Sequence, residues 1–166
     1  MKRSIAGAVV AALTASAFTM SSPAGAKPAP VKVAAIQAPW GFVNAREVKP
    51  PVGTACVTVP VVVDVRNGSG FPWTGIIISL RDEFANTVGY QEFRFNQPLS
   101  QPAPLGKNAT TLEVCGSAHN WTLPPNGVRG VKLAPYVKGA TYFLGVRNWA
   151  DSSGLTYENA TYRFLK

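Results

Sequence analysis

Apolar residues recur at every second position along much of this chain, and no segment gives a convincing helical spacing. Between residues 57 and 65 valine takes each odd position, while Thr58, Pro60 and Asp64 hold most of the even ones. A period of two is the mark of a strand with one buried face, and Asn67-Gly68-Ser69-Gly70 supplies the turn that ends it. Ile76, Ile78 and Leu80 alternate with Ile77, Ser79 and Arg81, and Phe93 and Phe95 with Glu92, Arg94 and Asn96. Leu112 and Val114 alternate with Thr111, Glu113 and Cys115. Tyr142, Leu144 and Val146 alternate with Phe143, Gly145 and Arg147, and Ala160, Tyr162 and Phe164 with Asn159, Thr161 and Arg163. A weaker first strand covers 31–36. Seven strands joined by Gly-, Pro- and Asn-rich turns predict an all-β, antiparallel β-sandwich. Residues 128–137 form either an eighth strand or a long loop, since Pro135 interrupts them.

At Val61-Val62-Val63-Asp64-Val65-Arg66-Asn67-Gly68 and Tyr142-Phe143-Leu144-Gly145-Val146 the chain resembles immunoglobulin-like domains of the fibronectin III type. It also resembles the related cell-adhesion modules of bacterial extracellular proteins. The first segment is similar to their second strand, and the second to the strand that opens with a corner tyrosine, here Tyr142. The resemblance spans 31–165 and implies the immunoglobulin-like form of the sandwich. Fold likeness of this kind says little about function.

The first 26 residues stand apart from this pattern. Lys2 and Arg3 precede an Ala/Val-rich run over 5–20, and Ala24-Gly25-Ala26 is a small-x-small cleavage pattern. The expectation is a signal peptide at 1–26 and a single domain at 27–166. The run is too short and too broken by Ser and Thr to remain as a membrane span, so no stable membrane insertion is expected. A secreted or periplasmic bacterial protein in an oxidising compartment follows. Fourteen prolines argue against long helices. The net charge of +8, two of it from Lys2 and Arg3, suits anionic envelope polymers and equally suits simple solubility. No Lys/Arg run occurs, so nucleic acid is not an expected partner.

Cys56 falls on the even phase, opposite the valine face, and Cys115 on the odd phase, opposite Leu112 and Val114. Both should therefore point away from the core. If their strands are the second and fifth of the sandwich, they are antiparallel neighbours, and the two cysteines lie at the same end. That predicts a near-surface Cys56–Cys115 disulfide. A metal site and a reactive thiol are the competing readings. Two cysteines and His119, the chain's one histidine, are few ligands for zinc, so no metal is expected.

Chemistry is otherwise sparse. His119 has no Gly-x-Ser-x-Gly partner motif, and the adjacent acids Asp82 and Glu83 fall in a predicted turn where they make a poor acid/base couple. No enzyme activity, catalytic residue or cofactor is expected. Trp40, Trp73, Trp121 and Trp149 all fall at predicted strand ends or in connections. They either plug the ends of the sandwich or stack on a ligand such as a sugar ring. With seven strands, Phe71, Trp73, Trp149 and Asp151 share one end, and these are the candidate ligand-binding residues. The expected function is a secreted, non-enzymatic binding or adhesion module for an extracellular glycan or protein. The alternative is a protease inhibitor that uses the proline-stiffened segment 97–106.

Overall fold

Every regular element among the described residues is a strand. The computed structural model describes residues 30–67, 75–94, 104–122, 130–149 and 156–166, and at 148–149 and 156–159 the backbone alone. The chain divides into Met1–Pro30 and Val31–Lys166, and the strands all belong to the second unit. In chain order they are β1 (Val33–Ala38), β2 (Gly41–Arg46), β3 (Cys56–Val65), β4 (Gly75–Asp82), β5 (Thr87–Arg94), β6 (Gly106–Cys115), β7 (His119–Thr122), β8 (Gly130–Leu133), β9 (Tyr142–Trp149) and β10 (Thr156–Tyr162). Among the described residues there are ten strands, where seven, or eight with 128–137, were expected.

Two four-stranded antiparallel sheets carry the fold, in the orders β1-β2-β3-β6 and β10-β9-β4-β5, and β7 and β8 form a separate hairpin. The inward residues of both large sheets join one core. Val59, Val61, Val63, Leu112 and Val114 come from the first sheet, and Ile76, Ile78, Leu80, Leu144 and Val146 from the second. These are the phases the alternation predicts. Each such side chain contributes about 1.5–3 kcal/mol by leaving water.

Pro60 is tolerated in an inner strand because the β2 ladder ends one residue earlier, at the Ala45–Val61 pair. Beyond that pair no β2 carbonyl asks for the missing N–H. Trp40, in the β1–β2 turn, has no exposed surface, and its carbonyl accepts from the Arg66 and Asn67 amides at 2.8 and 3.0 Å. It plugs one end of the core. Gly41, which follows, has φ +155°, and a Cβ there would lie 1.9 Å from the Asp64 carbonyl oxygen. No other residue lets the turn close this tightly on β3.

The opposite end is tied by two phenols. Tyr142 Oη donates to the Val137 carbonyl at 2.9 Å and accepts from the Val137 amide at 2.7 Å. Tyr162 Oη donates to the Arg46 carbonyl at 3.0 Å and accepts from the Val48 amide at 3.2 Å. Burial pushes the Tyr162 phenol up to about 12, against a lowering by the Val48 amide and a further rise from the Glu47 charge. Burial likewise raises Tyr142, opposed by its bond to Val137. Phe164 packs edge-on to both rings and to Tyr136.

The disulfide links Cys56 and Cys115, which face each other across the β3–β6 ladder with Cα atoms 3.9 Å apart. The Gly116 amide donates to the Ala55 carbonyl just outside the pair, so the cysteines occupy a non-hydrogen-bonded position, where side chains approach most closely. The expectation that both lie near the surface needs correction. Cys56 is exposed, but Cys115 is 1% exposed. Its phase does point it away from the core cluster. It is buried from outside, because the chain turns back over it after Gly116, bringing the His119 ring to 3.6 Å.

The segment 128–137 also resolves differently from either expectation. Residues 130–133 are a strand, but it pairs with β7 rather than joining a large sheet. The chain then runs past β5, where the Ala134 amide donates to the Thr87 carbonyl at 2.8 Å, and past Cys115, whose carbonyl accepts from the Tyr136 amide at 2.8 Å.

Candidate functional site

Of the residues singled out in the sequence, Trp149 ends β9 and is the register partner of Gly75, the first residue of β4. Phe71, Trp73 and Asp151, the Trp149 side chain, and 97–103 of the proline-stiffened segment lie outside the described residues. Trp121 lies within β7. Its Nε1 donates to Gln91 Oε1 at 3.1 Å and its ring meets Tyr90 edge-on at 4.9 Å, which fastens the hairpin to β5. Asp82 is 4% exposed, and its carboxylate accepts from the Phe84 and Asn86 amides and from Asn86 Nδ2, so it shapes the β4–β5 turn.

The outer face of the second sheet carries a trough. Ser79 of β4 is flanked across the ladders by Gly145 of β9 and Tyr90 of β5. The small side chains of Ser79 and Gly145 let the floor sink. A Cβ on Gly145 would sit 3.3 Å from Ser79 Oγ, so even alanine would fill it. Ile77 and Arg147 pair with each other at one end of this floor, Arg81 and Phe143 at the other. Val131 of β8 forms a wall. The hollow between Arg147, Tyr90 and Val131 measures about 230 Å³, and a second of about 210 Å³ continues past Arg81 towards Glu83 and Phe143. Each is smaller than a pocket for a drug-sized molecule and takes a single ring or short side chain.

Charge at the trough is arranged rather than merely basic. Glu92, 7% exposed, accepts from the Tyr90 hydroxyl at 2.9 Å and from Arg94 Nη2 at 3.3 Å. That bond fixes the Tyr90 ring at the rim. With Glu92 so engaged, Arg81 and Arg147 line the two ends of the floor.

None of Ser79, Arg81, Tyr90, Val131, Gly145 or Arg147 was singled out as a site residue from sequence. One signal was present: Gly145 interrupts the outward-facing positions of a strand, which marks a close approach or a cavity.

A larger concavity, about 930 Å³, lies at the tyrosine-tied end between Pro50–Gly53 and the Tyr136, Tyr142, Tyr162 and Phe164 rings, with Lys138 and Arg163 at its edge. The hydroxyls of Tyr142 and Tyr162 are committed to backbone groups, so these two rings act as ties for the chain. His119 opens β7, with Cys115 Sγ, Glu113 Oε1 and the Ser117 carbonyl as its neighbours. Among the described residues no helix is long and apolar enough to cross a membrane. The disulfide fits an oxidising, extracellular or periplasmic environment. No protein-family model, curated protein or solved structure matches the chain.

Proposed function

We propose that the protein is a secreted or periplasmic binding module with an immunoglobulin-like, fibronectin III-type β-sandwich, and that it holds an anionic glycan on the outer face of its second sheet. The fold reading is supported by strand order. With β2, β3 and β6 on one side and β10-β9-β4-β5 on the other, three neighbouring strands β4, β9 and β10 match the C, F and G strands of such domains. The Tyr142 hydroxyl, bonded to backbone five residues upstream at the start of β9, is what a corner tyrosine does.

The observation that carries the binding reading is the Gly145–Ser79 floor between Arg81 and Arg147, with the Tyr90 ring at its rim. A sugar ring stacks on an aromatic face, and acidic groups on neighbouring units of a polymer would meet the two guanidinium groups. The net positive charge of the chain adds long-range attraction to such a polymer.

Calorimetric titration with an acidic polysaccharide such as polygalacturonate, against a neutral one of similar length, tests this. Binding to the acidic polymer that weakens about tenfold in Arg147→Ala, and is lost in Gly145→Leu, is the expected result. Equal binding by both variants and wild type overturns the trough as the site. In that case Trp73→Ala and Trp149→Ala become the informative variants, because a ligand surface of Phe71, Trp73, Trp149 and Asp151 is the reading the sequence offers.

A further inference from the structure

The only histidine of the chain lies against its only disulfide, and the surroundings of that contact have the make-up of a metal site. Glu113 and Cys115 are two apart on β6, so both project from the outer face of the first sheet. Cys56 reaches the same face from β3, directly opposite Cys115. His119 arrives from the far side of a tight reversal. A Cβ on Gly116 would fall 1.7 Å from the Gly53 carbonyl oxygen, so only glycine allows the chain to turn back here.

The distances have a definite scale. Cys115 Sγ is 3.6 Å from His119 Nε2 and 3.9 Å from Glu113 Oε1, and Nε2 is 3.9 Å from that oxygen. Zinc bonds of about 2.0–2.3 Å in a tetrahedron require ligand atoms about 3.3–3.8 Å apart. Three of the donors already form a triangle close to one face of that tetrahedron. Cys56 Sγ, Cys115 Sγ and a Glu113 oxygen lie within 4.8 Å of one another. As two thiolates, the cysteine sulfurs would separate to about the van der Waals distance, which is also the spacing of two sulfurs on one zinc ion.

A second feature points the same way. His119 Nδ1 lies 3.3 Å from the Ser117 carbonyl oxygen, and a carbonyl can only accept. In the neutral ring Nδ1 therefore carries the hydrogen, and Nε2 turns its lone pair towards Cys115. A metal-ligating histidine is usually held this way, with its other nitrogen donating to a backbone carbonyl. Glu113 and Cys56 are exposed, so an ion can enter from solvent.

We propose that Cys56, Cys115, His119 and Glu113 form a redox-gated site for Zn²⁺, open in the dithiol state and closed by the disulfide. Synthesis delivers the dithiol. Binding follows as Zn²⁺ displaces one proton from each thiol, giving two Zn–S bonds with Nε2 and a carboxylate oxygen completing the set. Closure is an exchange with a disulfide oxidant: one S–S bond forms between Cys56 and Cys115, the oxidant's S–S bond breaks and its sulfurs take two protons from water to leave as two thiols, and Zn²⁺ is released. Two sulfurs, one imidazole and one carboxylate exclude Mg²⁺ and Ca²⁺, which take oxygen ligands.

The test is titration of the purified protein, reduced and oxidised, with Zn²⁺ against a chromophoric chelator, and with Co²⁺ as a spectroscopic substitute. One ion per reduced chain, release of about two protons near neutral pH, a sulfur-to-cobalt absorption band and no binding by the oxidised chain are expected. His119→Ala and Glu113→Gln should each weaken Zn²⁺ binding, the first by about tenfold or more. Near-UV circular dichroism of each reduced protein reports whether its fold is intact. Two results overturn the proposal: reduced protein that binds Zn²⁺ no better than oxidised protein, with or without an intact fold, and variants that bind as wild type does, which would leave the metal on the thiolates alone.

Discussion

Replacing Tyr162 by Phe isolates one hydroxyl at a point where two parts of the chain meet. The phenol donates to the Arg46 carbonyl and accepts from the Val48 amide, more than a hundred residues away, and the residue is 1% exposed. Two neutral hydrogen bonds of this kind contribute about 1–3 kcal/mol in total, so Tyr162→Phe should lose that much at neutral pH. The alkaline behaviour is the sharper part. In the unfolded chain tyrosine ionises near its ordinary value of 10.0, whereas the folded protein holds the proton to about 12. The stability this gives is fully present below pH 10 and is lost as pH rises to about 12. The loss is at most about 1.4 kcal/mol per pH unit, less where water screens the phenolate. Tyr142 is shifted in the same direction and adds to the slope. Guanidinium unfolding of both proteins at pH about 8, 10, 11 and 12 reads this directly. Tyr162→Phe should be the less stable at pH 8 and should fall more gently above pH 10. Equal alkaline slopes would refute the argument, because Tyr162 would then ionise alike in folded and unfolded chains.

Three further variants probe the same end of the core, where Gly53, Gly116 and Gly139 line one hollow with Tyr142 and Tyr162. Cys56→Ala/Cys115→Ala opens a link spanning 59 residues and should cost about 4 kcal/mol by the chain-entropy account. Cooperative unfolding should survive, since the core cluster contains neither cysteine, and denaturant curves followed by two optical probes would show it. Gly116→Ala drives a methyl group into the Gly53 carbonyl and should cost about 2–3 kcal/mol or more. Gly139→Ala, with φ +87° but open space around it, should cost only about 1 kcal/mol in the same melts.

Period-two alternation was enough to find most of the strands that build the core, because an inward valine or isoleucine every second residue leaves a signal no turn can mimic. It also gave the pairing of Cys56 with Cys115, since strand phase and direction fix which residues meet. β2 escaped notice because its inward residues are Gly41, Val43 and Ala45, two of them small. β7 and β8 escaped because a hairpin lying outside the core needs no apolar face: Leu133 is their one fully buried residue. The trough was hidden for a related reason. Its floor depends on which outward residues of three strands line up, and register across β9, β4 and β5 is a tertiary fact. The Leu80–Arg81 irregularity in the β4–β5 ladder alters it further.

Outward phase and exposure part company at Asp64, Ser79, Glu92 and Cys115, which all face away from the core yet are buried. Two of these have a known cover from the excursion between β6 and β9. Val131 stands over the side of the trough that contains Ser79, and His119 closes over Cys115. Yet the described residues of 116–133 supply no member of the core cluster. The excursion therefore shapes surface sites on a core built without it. Its removal is sterically simple, because the Tyr136 amide bonds the Cys115 carbonyl and brings the returning chain alongside the departing one. Replacing 118–133 with about four Gly and Ser residues spans that gap, at roughly 3.3 Å or more per residue. The shortened protein should unfold cooperatively, keep the Tyr142 tie to Val137, and lose both the Arg147-dependent binding and the zinc site. A non-cooperative melt, with near-UV signal lost while far-UV signal remains, would show instead that the hairpin is part of the folding unit, and that burial at Ser79 and Cys115 is a condition of the core itself.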